Sequence, residues 1–482
     1  MTADTHRPLP DLVLPDEVEV VNVGLPMFAD AVHAQGRPVQ HVDWRPPAGG
    51  DPAAVRALTR LYGDRGTTID EANAEVLRRL DTGVPFLVAV APAADVVPGV
   101  EGRMLLHCGP AIGWDEVCDP LRRSMRAAVV AEGWAGDTVE ADRLLADGEV
   151  RLEPANHHDM VVPMASAIGP SAPVLVVEND GDGDGAGDGA PIRAYAPISQ
   201  GPGDVPWYGR DTDAAIERLR LLRDVAGPAV AAILEHTGPL DILSVAAQGI
   251  AMGDDLHMRT QAATNLLTRT WLADVADLPE DLRRPFAGFL SGNHLFFLTL
   301  AMAAAKSLTI WAGQVRGSSI VTSMARNGTT FGIRLAGSER WFITASPAVG
   351  EAMYWSGYGP EDAALDIGDS AVLELVGLGG PAAANSPSVA AFLGGTMADA
   401  AEATEAFRRI CIGASSRFTL PILGFTGTPV GVDVRMVVES GVTPKVNTGI
   451  LAASTGAGQV GAGVATAPLD CFVEALIALA QD

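Results

Sequence analysis

The residues of this chain that could do chemistry gather in polar loops punctuated by glycine. Asn156-His157-His158-Asp159 sets two imidazoles beside a carboxylate. An imidazole titrates near neutrality, so one of them could carry a proton, the plain alternative being a histidine satisfied by structural hydrogen bonds. Sequence neighbours do not easily face one ion and no H-E-x-x-H spacing occurs, so a metal is not expected here. Asp254-Asp255-Leu256-His257-Met258-Arg259 offers carboxylates, imidazole and guanidinium within one turn of chain. Further on, hydroxyls from Ser318, Ser319, Thr322 and Ser323 precede Arg326-Asn327-Gly328. Guanidinium and backbone donors make directed, charge-assisted bonds, so this segment suits a carboxylate, phosphate or carbamoyl oxygen, or else forms a well-bonded turn. Asp366-Ile367-Gly368-Asp369-Ser370 could orient a substrate amine or cap the helix that follows.

Three other motifs imitate known binding loops without completing them. His41-Val42-Asp43-Trp44-Arg45 and the prolines and glycines after it lie where an open α/β sheet binds ligands. Asp43 is 19 residues past Gly24, as a ribose-binding acid would be, yet Asn22-Val23-Gly24-Leu25-Pro26 lacks the three-glycine phosphate turn. Near the end, Gly456-Ala457-Gly458-Gln459-Val460-Gly461 matches GxGxxG, but Pro468 separates it from the next helix and no β-α-β unit follows. A nest of backbone N–H groups for an anion, or tight backbone packing, fits it better. The run 180–189 begins like a calcium loop, but Pro191 occupies the position of the bidentate glutamate, leaving a solvated acidic insertion.

These loops need elements to hold them, and the composition supports several. The chain has 482 residues, 48% of them hydrophobic and 19% charged, enough for more than one core at about 150 residues per domain. A net charge of −26 repels nucleic acid and anionic membranes, so neither is an expected partner, while a small anionic substrate stays open through local arginines. Four cysteines without a CxxC pair fit a reducing compartment, and the N-terminus lacks the basic and apolar regions of a secretory leader; the expected location is the cytoplasm. The apolar run 286–305 contains Ser291, Asn293, His294 and Thr299 and reads as a buried helix rather than a membrane span.

The periodicities predict a strand over 18–23, a helix over 27–34 and a strand over 39–43, a Rossmann-like start. The expected fold class is α/β: a Rossmann-like domain at 15–150, an α/β segment at 151–205 carrying the acidic loop, a helical insertion at 206–312, and a C-terminal α+β region at 313–482.

In order along the chain, these segments resemble the AllG family. The resemblance rests on Val21-Asn22-Val23-Gly24, the 41–50 loop, Leu106-His107-Cys108-Gly109-Pro110, Asn156-His157-His158 and Met252-Gly253-Asp254-Asp255 with His257. It continues through Gly292-Asn293-His294, Met324 to Gly328 with Phe331-Gly332-Ile333-Arg334, the 366–370 segment, and Asn447-Thr448-Gly449-Ile450. It implies a subunit of a complex that exchanges a carbamoyl group between phosphate and the amide nitrogen of oxamate in allantoin breakdown. AllF-like chains, similar to succinyl-CoA synthetase, and AllH-like chains would be partners, with self-association open. Carbamoyl phosphate would be the co-substrate, with no cofactor.

By that resemblance Arg326, Arg45 and Asn327 would stabilise the carbonyl oxygen and the departing phosphate, and His157 or His158 would act as base. Asp43, Asn293, His294, Asp366, Asp369, Ser370, Asn447, Thr448 and Gly449 would bind substrate. Arg326-Asn327-Gly328 and Asn447-Thr448-Gly449 would wall one interdomain site. The sequence departs from the family pattern in places: neither a third histidine nor the Gly-Pro expected after it follows His158, and Asp119 stands in place of a glycine. The Ser-x-Arg-Thr-Arg loop of aspartate and ornithine carbamoyltransferases is absent. A noncatalytic scaffold and a hydrolase of ureido compounds are the competing readings.

Overall fold

The computed structural model describes residues 19–481, apart from 43, 45, 182–190, 393 and 394. Asp43, Arg45 and most of the acidic loop therefore lie outside the described residues.

The β-α-β start forms: Val20–Val23 pairs in parallel with Val39–Val42, and Pro26–His33 is the helix between them. It does not grow into a doubly wound sheet. The next strand, Pro85–Pro92, pairs antiparallel with Pro173–Asn179 and leaves the first two strands as a sheet of their own. Parallel sheets normally bury both faces under helices; here Val21 and Val23 are each 58% exposed and Phe28 is equally open. The fold is thus mixed α/β with several small sheets, and parallel pairing recurs only between Met104–His107 and Arg151–Pro154 among the described strands.

Asp51 caps the helix Pro52–Tyr62, its Oδ1 accepting from the N–H groups of Ala53 and Ala54 at 2.7 and 2.9 Å. This helix packs against the C-terminal helix Leu469–Gln481, and Leu58, Leu61 and Ile69 share one core with Phe331, Phe407 and Phe472. Chain ends distant in sequence are stitched together by that core.

At the centre runs Phe296–Ala312, apolar around its circumference and buried from Phe296 to Thr309. A helix without a polar face is stable only inside a core. It packs on the strands Pro173–Asn179 and Ile192–Pro197, on the helix Gly66–Thr82 and on the strand Val321–Asn327. The apolar run preceding it is broken at 292–295, where the helix Glu280–Ser291 meets it at 86°. No single helix among the described residues is long and apolar enough to cross a membrane.

Beyond it lie three antiparallel sheets among the described residues. One orders Phe342–Ala345, Thr330–Leu335, Val321–Asn327 and Ile367–Gly368, a second orders Val349–Tyr354, Gln459–Thr466 and Lys445–Leu451, and the third pairs Cys411–Leu420 with Thr426–Val432. The GxGxxG segment enters the strand Gln459–Thr466 rather than a helix. Its Gly456 carbonyl accepts from Arg210 Nη1 at 2.8 Å, so part of this loop serves cations, opposite to an anion nest.

Candidate functional site

Four elements meet around a polar cavity of about 360 Å³. The central helix brings Lys306 and Thr309, the short helix Ala155–His158 brings Asn156 and His157, and the strands Val321–Asn327 and Thr330–Leu335 bring Ser323 and Arg334. Lys306 is 4% exposed. Its Nζ donates to Asn156 Oδ1 at 2.9 Å. Burial pushes the ammonium down to about 8, helped by nearby Arg334 and opposed by Asp159, Asp369 and Glu339. Asn156 Nδ2 and Arg334 Nε are buried donors with no hydrogen-bond partner among the described residues. Such groups cost free energy unless something accepts their hydrogens. Arg334 is held over the Trp341 ring at 5.5 Å and reaches Glu339 at 3.5 Å; since Glu339 is 95% exposed, that contact yields easily to a ligand. One ammonium, one guanidinium and an amide with unmet donors make a receptor for a small oxyanion.

The two adjacent histidines part company here. Residues on a three-per-turn helix point about 120° apart. His157 lines the cavity mouth, 3.9 Å from Glu153, with its pKa lowered by burial against the pull of that glutamate. A neutral imidazole there can accept a proton. His158 instead turns its Nδ1 to the Pro98 carbonyl at 2.9 Å, outside the cavity lining.

Behind Lys306 lies a buried ionic network. Arg326 is fully buried and grips Asp366 with two bonds, Nε to Oδ2 at 2.8 Å and Nη2 to Oδ1 at 3.1 Å, while Nη1 has no hydrogen-bond partner among the described residues. Asp369 accepts from the Gly109 N–H at 2.8 Å and the Val162 N–H at 3.4 Å. Burial raises its carboxyl to about 7, against the Gly109 bond and the charges of Arg326 and Lys306. Asp369 therefore links the cavity lysine electrostatically to the interior. Ser370 is buried beside it. Both ends of the Asn327 amide are occupied: Oδ1 accepts from Thr329 and Thr330 N–H in its own turn, and Nδ2 donates to Thr330 Oγ1 and, across the fold, to the Pro110 carbonyl.

The two expected walls approach each other through Glu374, not across open space. Its Oε1 accepts from the Asn447 N–H at 3.4 Å and pairs with His257 Nδ1 at 2.7 Å, and its charge acts on Arg326. The Asn447 side chain donates to Asp255 Oδ2 at 2.8 Å, Thr448 donates to the Gly449 carbonyl, and none of the three lines the polar cavity. Gly449 presses on Met164 and Gln459, where a Cβ would come within 2.7 Å of Met164 Cε. Asn293 and His294 lie elsewhere. Asn293 is held by Ser199, donating to its carbonyl at 3.2 Å, and His294 lines a separate cleft of about 640 Å³ with Arg210 and Trp355. Among the described residues no group of three His, Cys, Asp or Glu side chains is placed to hold a metal ion.

Lys306 escapes a motif search, and Asn156 and Arg334 enter it only as the ends of patterns, without a role of their own. A compositional signal for the lysine exists: of 33 Lys and Arg residues only Lys306 and Lys445 are lysine, and one of them sits in an apolar helix. Where arginine otherwise serves for positive charge, a buried lysine marks a place that needs a compact ammonium with an adjustable pKa.

The family model described as oxamate carbamoyltransferase subunit AllG matches residues 150–370, the span that holds Asn156, His157, Lys306, Arg326, Arg334, Asp366 and Asp369. Escherichia coli oxamate carbamoyltransferase subunit AllG is 38% identical over 421 residues, 86% of this chain and 98% of that protein. Escherichia coli YahG, described as uncharacterized, is 34% identical over 464 residues, 95% of this chain and 96% of its own. A crystal structure of a conserved Enterococcus faecalis protein of unknown function superposes with a TM-score of 0.81 at 32% identity, covering 86% of this chain and 97% of that one. With near full-length agreement in sequence and in fold, the chain belongs to the AllG family.

Proposed function

We propose that this chain is a subunit of a carbamoyltransferase complex and that its polar cavity receives the phosphoryl and carbamoyl groups. The observation that carries the reading is buried Lys306 beside the unmatched donors Arg334 Nε and Asn156 Nδ2. Lys306 and Arg334 meet the phosphoryl oxygens, and Asn156 Nδ2 meets the carbamoyl oxygen as charge develops on it. His157 accepts the proton from the attacking amide nitrogen of oxamate or a related small amide. In the transfer a bond forms between that nitrogen and the carbamoyl carbon, the carbon–oxygen bond to phosphate breaks, and phosphate leaves with the electron pair. The reverse reaction cleaves oxalurate with phosphate. Asp369 acts from behind the cavity through its charge on Lys306, and Arg326, held by Asp366, acts on Asp369.

AllF-like and AllH-like companion chains complete the enzyme in this reading. The name of the Escherichia coli relative, a subunit, supports an assembly, and so does the open apolar surface of Val21, Val23, Leu25, Met27 and Phe28. The complex reconstituted with the wild-type chain should cleave oxalurate only when phosphate is present, and with Lys306→Met turnover should fall about a hundredfold while assembly persists. Undiminished turnover with Lys306→Met would make this chain a scaffold; cleavage without phosphate would make the complex a hydrolase.

A further inference from the structure

Anion binding leaves one property of Lys306 unused. A guanidinium would bind phosphate as well with more donors, but only an amine has a lone pair to offer once deprotonated. The central helix fixes Nζ against the cavity with Asn156 Oδ1, at 2.9 Å, as its hydrogen-bond partner. Arg334, Asp159, Glu339 and His157 face it from the other elements of the cavity, and Asp369 from behind. Half-exposed His157 and exposed Glu339 mark the mouth, and the space of about 360 Å³ admits molecules far larger than isocyanic acid or carbamoyl phosphate. With the ammonium lowered to about 8, roughly one chain in ten carries the free amine at pH 7, some two to three hundred times the fraction of an ordinary lysine at 10.5.

We infer that Lys306 is a covalent modification site whose Nζ takes up a carbamoyl group from small carbamoyl donors entering the cavity, becoming a neutral ureido side chain. With isocyanic acid, the nitrogen–carbon bond forms, the carbon–nitrogen double bond opens, and the amine proton moves to the donor nitrogen. With carbamoyl phosphate, the carbon–oxygen bond breaks and phosphate departs with the electron pair and the amine proton. The product removes the cation from the anion receptor, so the modification inactivates. Inorganic phosphate opposes it twice, by filling the cavity and by holding Lys306 as the ammonium; this protection rests on the proposed function, whereas the reactivity of the amine does not.

The test uses the full chain with potassium cyanate at pH 7, with and without inorganic phosphate, and follows the ureido adduct on the Lys306 and Lys445 peptides by mass spectrometry. Lys306 should react on the order of tenfold faster than half-buried Lys445, and phosphate should slow it selectively. Lys306→Arg, which keeps the charge, should leave the rate at Lys445 unchanged, showing an intact fold. Labelling of Lys306 no faster than of Lys445 overturns the inference, even if the reconstituted complex cleaves oxalurate. Fast labelling that phosphate leaves untouched upholds the modification site and counts against the phosphate reading.

Discussion

Removing Asp366 should destabilise the chain by an amount that the geometry sets. Arg326 and Asp366 are both fully buried and joined by two bonds. Asp366→Ala leaves a guanidinium whose Nη1 already lacks a hydrogen-bond partner among the described residues, with the more distant charges of Asp369 and Glu374 to balance it. Breaking a buried pair from one side costs about 3–5 kcal/mol. An unfolding entropy of about 2.1 cal/mol/K per residue over 482 residues makes about 1 kcal/mol correspond to about 1 °C. Differential scanning calorimetry should therefore show a Tm about 3–5 °C below wild type. The double variant Arg326→Met/Asp366→Leu removes both charges together and should lose less than Asp366→Ala alone; its residual loss comes from Asp369 and Glu374, which no longer feel Arg326. A loss below about 1 °C for Asp366→Ala, or a double variant at least as unstable as Asp366→Ala, would show that Arg326 and Asp366 are not a mutually dependent buried pair.

Other outcomes follow from the same groups. Turnover of the reconstituted complex at subsaturating phosphate should fall as pH rises through about 8, because the binding form of Lys306 is the ammonium, present below that value and lost above it; Lys306→Arg should lack this limb of the profile. Asp369 has a folded pKa of about 7, above its unfolded value of 3.8, so its favourable contribution is complete below the unfolded value and is lost as pH rises toward and through 7. The Tm of Asp369→Asn relative to wild type should accordingly improve between pH 5 and pH 8. Gly109 has φ +79 and lies where an added Cβ would stand 2.5 Å from the Asn327 nitrogen. Strain and overpacking together cost about 2–6 kcal/mol, so Gly109→Ala should melt about 2–6 °C lower; an unchanged Tm would mean the approach relaxes freely.

The parts of the fold written in local patterns could be read directly from the sequence. The alternation of Val20 to Val23, the cap at Asp51 and the turn after the first strand are decided within a few residues, and all three formed. Which strand continues a sheet is decided by long-range packing, and here Pro85–Pro92 chose Pro173–Asn179, ending the Rossmann pattern at two strands. The polar loops were legible as polar. A turn and a binding loop, however, use the same residue types, and only the folded structure shows Asn327 with both ends of its amide occupied while Asn156 Nδ2 has no partner among the described residues. The divergence of His157 from His158 comes from the short-helix backbone, which their shared residue type conceals. Lys306 was hidden by the apolar run around it, since a pattern search reads such a run as core and passes over the one ammonium inside.

If the cavity lined by Lys306 and Arg334 binds a phosphoryl anion, isothermal titration of the purified full chain with inorganic phosphate at pH 7 should detect it, and Lys306→Met and Arg334→Met should weaken it. Each lost charge-assisted contact should cost about 1.5–3 kcal/mol, weakening binding by about 10- to 150-fold, with the melting profile of Arg334→Met near that of wild type. Phosphate affinity unchanged in both variants would mean that this cavity is not where phosphate binds.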